Sequence, residues 1–353
     1  MILSEKFNKK FFAIYGLGVT GKSVIKFLKR SGISNYVSWD DIKKKNKSNI
    51  KKFSNFLKIA DYIIISPGIN IKKSPLSKRL EKYRKKIITD LDLFYMTEKV
   101  PKTIVVTGTN GKSTTCKILE HFLKKNKHKV SLGGNIGHPV LEIKRSNRSF
   151  CIIEASSFHL AHSKFIKPNY ATILNISKDH LDWHGSFDNY VNSKFKIFKF
   201  QDKNCFAFIN TKNLIKIFKK KQYIGKLIKY NLNSFFKIKQ EIKNKYLQLS
   251  INDQNLGFVY ELSKVLKINK KNFIKSLKSF KGLPHRHEIF LESKNFKFIN
   301  DSKATSFEAS KSALKNNRNI FWILGGLPKK GDKFQLNKIK KNILGSFIIG
   351  KSP

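Results

Sequence analysis

The sequence has few cysteines, no long hydrophobic run and few acidic residues, and each shortage excludes a class of protein. The three cysteines, Cys116, Cys151 and Cys205, are odd in number and far apart, and no C-x-x-C pair occurs. This usage is typical of a reducing cytoplasm and argues against a structural zinc site. No apolar run approaches the roughly 20 residues that a membrane-spanning helix needs. We therefore expect a cytoplasmic protein without a membrane segment.

The first residues, MILSEKFNKKFFAIYGLG, lack the long apolar core and the cleavage site of a secretory signal peptide. Their short apolar run leads directly into a glycine turn. We interpret this run as the first β-strand of the fold.

Acidic residues are scarce, because 23 Asp and Glu stand against 72 Lys and Arg, and the formal net charge is +49. Such a balance invites a nucleic-acid interpretation. However, the lysines are scattered over every segment, and only seven of the basic residues are arginine, whose planar fork reads phosphates and base edges. Asn and Ile are also abundant, so a drift toward A-rich codons accounts for the lysines. We expect weak polyanion binding at low salt and no specific nucleic-acid partner.

The order of the elements predicts an α/β fold. Short β-branched and aromatic runs alternate with helical patterns, as at residues 11–15, 103–106 and 150–153. This alternation is typical of βαβ units with mostly parallel sheets. Boundaries near Glu98 and in KGLP at Lys281–Pro284 predict three units, at residues 1–98, 99–282 and 283–353. With only about 70 residues, the third is expected to be a partial domain.

Gly16–Gly21 reads GLGVTG after a strand and before a helix, which matches the pattern G-x-G-x-x-G. Backbone amides at such a helix N-terminus bind a diphosphate, and Asp40 at the end of the next strand is placed to contact a ribose. The alternative is a tight strand-to-helix turn that needs glycine for structural reasons alone. The pattern predicts a diphosphate site without identifying the nucleotide.

A second glycine loop, TGTNGKST at Thr107–Thr114, is typical of P-loop nucleotide-binding proteins. The loop amides surround phosphates, Lys112 reaches the outer phosphates, and the hydroxyl of Ser113 or Thr114 binds Mg²⁺. Val106 replaces the first glycine of the common pattern, so this is a shorter form of the loop. Two phosphate sites exceed the needs of a dehydrogenase or a simple NTPase. They indicate an enzyme that activates a nucleotide-linked substrate with ATP.

Later strands are followed by further candidate ligands. Glu154 ends the apolar run FCIIE, where a parallel sheet binds ligands, and is either a Mg²⁺ ligand or a structural carboxylate that caps the next turn. His180 and His184 are four residues apart, but no third zinc ligand accompanies them, and His184 is interpreted as a packed or surface histidine. From its helix pattern alone, Lys194 is an ordinary solvated lysine.

Two segments of the third unit also carry polar groups. INDSKATS places Asp301, Lys303 and Thr305 between a strand and a helix, where they could contact a nucleotide or an acidic substrate. LGGLPKKGDKF repeats the strand-then-glycine arrangement and offers Lys329 and Lys330 as partners for a carboxylate.

Eight motifs in this order resemble the Mur ligases of peptidoglycan synthesis. They are GLGVTG, SPGI, TGTNGKST, GGNIG, EASSFHL, DHLDWH, GLPHRHE and NDSKAT. The resemblance spans the whole chain. It implies an N-terminal Rossmann-like domain for a UDP-linked substrate, a central P-loop ATPase-like domain, and a C-terminal Rossmann-like domain that is truncated here. Within the family, the sequence resembles the ligases that add D-glutamate to UDP-N-acetylmuramoyl-L-alanine.

The resemblance also implies a reaction and its cofactors. The γ-phosphoryl group of ATP is transferred to the L-alanine carboxylate of the substrate, and the amine of D-glutamate then attacks the acyl phosphate. Two Mg²⁺ sites are implied, together with a carbamylated Lys194 whose added carboxylate binds Mg²⁺. We expect a monomer.

Site residues follow from the resemblance, position by position. The catalytic residues are Lys112, Asn135, His180 and Lys194. The Mg²⁺ ligands are Ser113, Thr114, Glu154, His180 and Lys194. The ATP contacts are Gly108, Thr109, Asn110, Gly111, Lys112, Ser113, Thr114, Asn255, Arg286 and Asp301. The UDP-substrate contacts are Gly18, Val19, Thr20, Asp40, Asn135, Ser156 and His159. The D-glutamate contacts are Lys303, Thr305 and Lys329.

Three departures from the family pattern leave alternatives open. His159 replaces a glutamine, and Ile251 replaces a histidine in the segment that supplies Asn252 and Asn255. The family's third domain extends beyond the position of Pro353, and further D-glutamate contacts come from that part. One alternative is therefore an inactive remnant that binds nucleotide or muropeptide without turnover. Others are a ligase similar to folylpolyglutamate synthase and, from charge alone, a polyanion-binding protein.

Overall fold

A computed structural model describes residues 2–42, 47–144, 149–326 and 339–350. Two residues predicted to bind a carboxylate, Lys329 and Lys330, lie outside these ranges. Within the described ranges, no helix combines the length and the apolar composition of a membrane span.

The first unit is built on a four-stranded parallel sheet. Its strands are β1 (Phe12–Tyr15), β2 (Tyr36–Trp39), β3 (Tyr62–Ile65) and β4 (Ile87–Ile88), in the order β2-β1-β3-β4. Its helices are α1 (Val19–Arg30), α2 (Lys47–Ile59), α3 (Ser77–Lys82) and α4 (Asp90–Tyr95). All four residues of β1 are buried, as expected for a parallel strand with covered faces. The predicted βαβ organisation is confirmed, and the GLGVTG loop leaves the carboxyl end of β1.

The second unit is built on a six-stranded parallel sheet. Its strands are β5 (Lys102–Thr107), β6 (Val130–Gly134), β7 (Phe150–Glu154), β8 (Tyr170–Ile173), β9 (Phe206–Ile209) and β10 (Lys226–Lys229), in the order β10-β9-β8-β5-β7-β6. Its helices are α5 (Lys112–Lys125), α6 (Ser157–His162), α7 (Leu181–His184), α8 (Phe187–Phe195), α9 (Lys212–Lys220), α10 (Leu232–Glu241), α11 (Lys245–Gln248), α12 (Asp253–Val265) and α13 (Lys270–Leu277). Because β5 lies between β7 and β8, the chain winds to both sides of it. Such a switch point is where open parallel sheets bind ligands.

The third unit is smaller and mixed. An antiparallel hairpin of β11 (Glu288–Glu292) and β12 (Lys297–Asn300) precedes α14 (Phe307–Lys315) and the parallel pair β13 (Ile320–Gly325) and β14 (Ile343–Ile349). The parallel pair with α14 agrees with a third α/β unit. The hairpin was not anticipated from the sequence.

One apolar core runs through the first two units. Phe12 of β1, Phe94 of α4 and Val105 of β5 belong to the same cluster of buried side chains. The backbone N–H groups of Lys164 and Phe165 add polar contacts, because they donate to the Asp92 carboxylate of α4 at 2.8 and 2.7 Å. The two glycine loops therefore belong to units that pack directly against each other.

Candidate active site

The GLGVTG loop has the close approach that its glycines predict. Gly16 has φ of 95°, and a Cβ added there would lie 2.8 Å from Cβ of Ser66. A Cβ added at Gly21 would lie 1.8 Å from the carbonyl oxygen of Gly16. Larger residues cannot enter either position without moving the backbone. The loop thus needs glycine structurally, and it also directs a helix N-terminus outward.

Four of the seven predicted UDP-substrate contacts, Gly18, Val19, Thr20 and Asp40, lie around this turn. Gly18 precedes α1, and Val19 and Thr20 form its first positions, where backbone N–H groups have no helical partner. The Asp40 carboxylate accepts the N–H of Leu17 at 2.6 Å and that of Ile42 at 3.1 Å. Asp40 therefore ties the end of β2 to the glycine loop. Its oxygens keep further lone pairs for a ligand hydroxyl.

The phosphate loop, Gly108–Gly111, is held from several sides. The N–H of Thr109 donates to the carbonyl of Asn175 at 3.0 Å, and the N–H of Asn110 donates to Oδ1 of Asn175 at 2.8 Å. Gly111 has φ of 81°, and a Cβ added there would lie 2.4 Å from Oδ1 of Asn255. The turn into α5 therefore requires glycine for both conformation and space.

Asn255 supports this loop from the protein interior. Its side chain is 2% exposed, and its Oδ1 accepts the Thr115 hydroxyl at 2.9 Å. Its Nδ2 lies 3.1 Å from Oδ1 of Asn252. The structure thus places this predicted ATP contact against the loop and the first turn of α5.

We expect Gly111→Ala to raise the KM for ATP by about tenfold and to lower the free energy of unfolding by more than the roughly 1–2 kcal/mol of a left-handed alanine. Gly32→Ala is the matched control, because Gly32 also has positive φ, of 73°, but nothing lies within 4 Å of its added Cβ. Chemical unfolding and steady-state kinetics measure the two effects. Equal destabilisation of both variants, with an unchanged KM, would contradict a steric role for Asn255.

Two lysine ammonium groups share one carbonyl oxygen in the phosphate loop. Nζ of Lys112 donates to the carbonyls of Gly108 at 2.9 Å and Thr109 at 2.8 Å. Nζ of Lys194, from α8, donates to the same Gly108 oxygen at 2.9 Å. Burial lowers the pKa of both lysines, and the charge of Lys112 depresses the pKa of Lys194 further, to well below its ordinary value.

Lys194 is 1% exposed, so the interpretation of it as a solvated lysine, drawn from its helix pattern alone, is wrong. A buried amine that binds protons weakly is a nucleophile at neutral pH. The structure therefore gives this residue chemistry that a local pattern cannot show.

Tyr190 links this lysine to the loop, and sequence analysis missed it. Its hydroxyl lies 2.9 Å from Oγ1 of Thr109, and Nζ of Lys194 lies 4.7 Å from the centroid of its ring. Oγ1 of Thr109 also accepts the N–H of Ser177 at 3.0 Å. The available signal was the spacing of Tyr190 and Lys194, four residues apart on one helix face.

The carboxylate of Glu154 fits a cation ligand. Its Oε1 accepts Nδ2 of Asn135 at 3.0 Å, while its Oε2 is buried and has no hydrogen-bond partner among the described residues. An unsatisfied buried carboxylate oxygen is costly unless a cation completes it. The described residues hold no cluster of three or more His, Cys, Asp or Glu side chains able to bind a metal by themselves. The site therefore suits Mg²⁺, which takes most of its ligands from phosphate and water.

A sharp turn brings an acid and a histidine to the same region. His180 has φ of 53°, its N–H donates to Oδ1 of Asp179 at 3.0 Å, and its Nε2 lies 3.3 Å from Oδ2 of Asp179. Burial lowers the pKa of both Lys112 and Lys194, and the negative charge of Asp179 partly offsets this lowering. The Asp179 carboxylate therefore acts on both lysines of the phosphate loop. Sequence analysis missed Asp179, although the motif DHLDWH contains it.

His184 proves to be a packed histidine. It is 7% exposed, its Nε2 lies 3.0 Å from Oγ of Ser157, and burial lowers its pKa to about 4. It supports the turn from the side of α6. The interpretation of His184 as a structural residue is thus confirmed.

Burial, reinforced by the charges of Lys196 and Arg84, lowers the pKa of His162 to about 4. Between pH 6.5 and 4 the unfolded chain binds a proton that the folded protein excludes, so stability falls as pH falls. We expect His162→Phe to reduce the loss of unfolding free energy between pH 7 and pH 5 by about 1–2 kcal/mol. Urea unfolding at pH 7 and pH 5 measures this difference in unfolding free energy. His138→Phe is the control, because His138 is exposed. An equal loss in both variants would contradict it.

Two predicted substrate contacts are paired with each other. Oγ of Ser156 lies 2.9 Å from Nδ1 of His159, and Nε2 of His159 lies 3.9 Å from Oδ1 of Asp90. Burial lowers the pKa of His159. The structure thus places both residues where α6 meets α4, between the first two units.

The third unit reaches the phosphate loop through an arginine. An Nη atom of Arg286 donates to Oγ of Ser113 at 3.1 Å. Thr114 is buried, whereas Ser113 is half-buried. Of the two hydroxyls predicted to bind Mg²⁺, that of Ser113 is therefore the more available.

The remaining predicted contacts of the third unit lie further along the chain. The N–H of His287 donates to Oδ1 of Asp301 at 2.9 Å, and burial raises the pKa of Asp301. Lys303 and Thr305 are exposed. Lys329 lies outside the described residues.

Two family models match the chain. The Mur ligase middle domain matches residues 106–277, and the MurD-like N-terminal domain of Mur ligases matches residues 10–88. The UDP-N-acetylmuramoylalanine–D-glutamate ligase of Rickettsia prowazekii is 33% identical, over 95% of this chain and 82% of its own length. The ligase of the same name from the Wolbachia of Brugia malayi is 32% identical, over 99% of this chain and 84% of its own length.

Solved structures share the fold at lower identity. MurF ligase of Thermotoga maritima, solved in complex with ADP, is 17% identical with a TM-score of 0.57, over 98% of this chain and 87% of its own. UDP-N-acetylmuramate–alanine ligase MurC of Thermotoga maritima is 16% identical with a TM-score of 0.51, over 96% of this chain and 95% of its own. The expected α/β architecture of linked Rossmann-like and P-loop units is confirmed.

Proposed function

Because the chain belongs to the Mur ligase family, among the UDP-N-acetylmuramoylalanine–D-glutamate ligases, we propose that it joins D-glutamate to UDP-N-acetylmuramoyl-L-alanine at the expense of ATP. One observation carries the proposal. Two glycine loops, one after β1 and one after β5, lie in units that share a core, and β5 pairs with β7, whose Glu154 has a buried carboxylate oxygen without a hydrogen-bond partner among the described residues. This arrangement suits two phosphorylated ligands that must meet.

The UDP-linked substrate binds at the N-terminus of α1, with Gly18, Val19, Thr20 and Asp40 around its nucleotide. Asn135, held by Glu154, and the pair Ser156 and His159 lie further along the path toward the phosphate loop. They orient the muramoyl-alanine part. This order brings the L-alanine carboxylate toward the γ-phosphate of ATP.

ATP binds along Gly108–Thr114, whose amides point to the phosphates. Arg286 and Asp301, from the third unit, complete the ATP site, and Asn255 fixes the loop from behind. Ser113, Glu154, His180 and carbamylated Lys194 would hold Mg²⁺, with two sites in all, and Thr114 is the less available ligand. When bound, Mg²⁺ neutralises phosphate charge and orients the transfer.

Charge neutralisation is the main task of the protein groups. A carboxylate and a triphosphate repel each other, so Lys112 and Arg286 must offset that repulsion where the two meet. The ammonium group of Lys112 donates to two carbonyls of the phosphate loop itself. It therefore lies next to the site of the phosphates and can exchange these carbonyls for phosphate oxygens. An oxygen of the L-alanine carboxylate takes the γ-phosphoryl group and ADP leaves. The amine of D-glutamate then attacks the acyl carbon, and the amide forms as inorganic phosphate leaves and the amine loses a proton.

Lys194 is carbamylated in the active protein. Its depressed pKa keeps a fraction of the amine neutral, so its lone pair attacks the carbon of CO₂, an N–C bond forms, and one proton is released. The product is an anion beside Lys112. The modification thereby replaces a repulsive pair of cations with an attractive pair, which the buried setting favours.

The third unit, residues 283–353, supplies the D-glutamate contacts Lys303, Thr305 and Lys329. Residues 1–98 and 99–282 form the substrate and ATP domains. We further propose that the protein works in the cytoplasm, where its three free and buried cysteines stay reduced, and that it is a monomer.

The test is release of phosphate from Mg-ATP by the purified chain, with UDP-N-acetylmuramoyl-L-alanine, with D-glutamate, and with both. Release that requires both substrates supports the ligase. Binding of ATP and the UDP substrate without release would instead identify a binding remnant. Release with a folate and L-glutamate alone would identify the folylpolyglutamate-type alternative.

A further inference from the structure

The segment Ser66–Ser74, here named the bridging segment, is attached at one end to the glycine loop of the first unit and at the other end to the strand β1 that leads into this loop. Oγ of Ser66 donates to the carbonyl of Gly16 at 2.8 Å. Oγ of Ser74 lies 2.7 Å from the hydroxyl of Tyr15, the residue that precedes Gly16. A ligand that orders the glycine loop therefore acts on the bridging segment through Ser66, at one of its two ends.

The middle of the bridging segment reaches into the second unit. Nδ2 of Asn70 donates to the carbonyl of Trp183 at 3.1 Å, across 113 positions of sequence. Oδ1 of Asn70 accepts the N–H of Lys72 at 3.0 Å and so caps the short helical turn Ile71–Lys73. One side chain thus shapes its own segment and holds the neighbouring unit.

The carbonyl that Asn70 binds belongs to the turn Asp179–Gly185, here named the histidine turn. Its single helical turn leaves its last carbonyls without helical partners. Nδ2 of Asn70 donates to the carbonyl of Trp183, and Nδ2 of Asn189 donates to the carbonyl of His184 at 3.0 Å. At the other end, the left-handed backbone of His180 is an unfavourable conformation that its surroundings must maintain.

We propose that Asn70 is a positioning residue that couples the diphosphate loop of the first unit to the histidine turn, and hence to His180 at the metal site. This inference rests on the proposed function, which assigns UDP to the glycine loop and Mg²⁺ to His180. It adds that the ligand-ready geometry of the histidine turn depends on occupation of the nucleotide loop. The metal site is then best formed when the UDP-linked substrate is already bound.

The decisive variants remove only the donor of Asn70. Asn70→Asp retains the oxygen that caps Lys72 but turns a carboxylate toward the Trp183 carbonyl. Asn70→Ser also retains a capping oxygen and is too short to reach that carbonyl, without adding charge. Asn269→Asp is the matched control, because Asn269 likewise caps a helix, accepting the N–H of Asn272 at 2.9 Å, far along the chain from this contact.

Hydrogen exchange of the full chain with and without UDP tests the coupling, because UDP alone can occupy the nucleotide loop. In the wild-type protein and in Asn269→Asp, UDP should slow exchange in the glycine loop and at the amides of His184 and Gly185, which donate to His180 and Leu181. In both Asn70 variants, UDP should still protect the glycine loop. The amides of the histidine turn should exchange about fivefold faster than in the wild type, and UDP should no longer slow their exchange.

Kinetics give a second readout. We expect the Mg²⁺ concentration for half-maximal rate to rise about fivefold in the Asn70 variants, with the KM for ATP unchanged within about twofold. A response of the histidine turn to UDP that is equal in wild type and both Asn70 variants overturns the inference alone. Absence of UDP protection at the wild-type glycine loop overturns the proposed nucleotide site, and the inference with it.

Discussion

Lys112→Met is expected to lower kcat for ligation by about a thousandfold. Removing one preorganised donor that meets charge developing in a transition state costs roughly a hundred- to a thousandfold. We place Lys112 at the upper end of this range of rate losses, because its ammonium group is buried and has lost much of its hydration. The charges of Glu154 and Asp179 partly offset the lowering of its pKa by burial. Methionine keeps the length of the side chain and deletes only the charge and the donors.

The measurement is phosphate release with both substrates at saturation, together with calorimetric titration of ATP. We expect weaker ATP binding, by about tenfold, and a much larger loss in kcat, since the positive charge acts mostly in the transition state. Lys117→Met is the control, because Lys117 lies on the same helix but pairs with Glu120 at 2.9 Å at the surface. A kcat within about threefold of wild type would remove Lys112 from the transfer step.

What the sequence could predict was local. Each glycine loop is a few consecutive residues between a strand and a helix, and their spacing alone indicated phosphate sites and parallel βαβ units. The position of both loops at the carboxyl ends of strands followed from the same pattern. These features depend on neighbours within a dozen residues.

What local patterns could not show depends on distant partners. Lys194 meets the Gly108 carbonyl across 86 positions, and Thr115 meets Asn255 across 140. Nothing around Lys194 in the sequence distinguishes it from the other lysines of its helix, and only the family resemblance marked it. Asp179 and Tyr190 were missed for the same reason, because their significance comes from what the fold brings opposite them. The antiparallel hairpin of the third unit likewise depends on cross-strand pairing.

The high net charge has a local counterpart at the site. Lys112 and Lys194 donate to one oxygen, and Arg286 lies close enough to lower the pKa of Lys112. Three cations facing a glycine loop attract a triphosphate and also destabilise one another without it. A modification that converts one of them into an anion relieves that repulsion, which makes Lys194 the most informative residue to change.

Lys194→Ala is expected to lower kcat by at least about a hundredfold, and small carboxylates such as formate or acetate should restore part of the activity. The side chain is fully buried, so its removal leaves a cavity bounded by Tyr190 and the Gly108 carbonyl. A small carboxylate can occupy that space and supply the anion that the carbamate would provide. Lys194→Arg should remain inactive in either condition, because guanidinium does not add CO₂.

Isotopically labelled bicarbonate separates carbamylation from a purely structural role. Wild-type protein should show a carbamate carbon signal by NMR that Lys194→Ala lacks, and degassed buffer should lower the wild-type rate until bicarbonate is returned. Lys196→Ala is the control, because burial also lowers the pKa of Lys196, to about 8, while its amine donates to the Ala161 carbonyl away from the loop. That variant should keep its rate within about threefold and retain the carbamate signal. Full activity of Lys194→Ala without added carboxylate would mean that Lys112 and the bound cations suffice, and would remove a carbamylated Lys194 from the reaction.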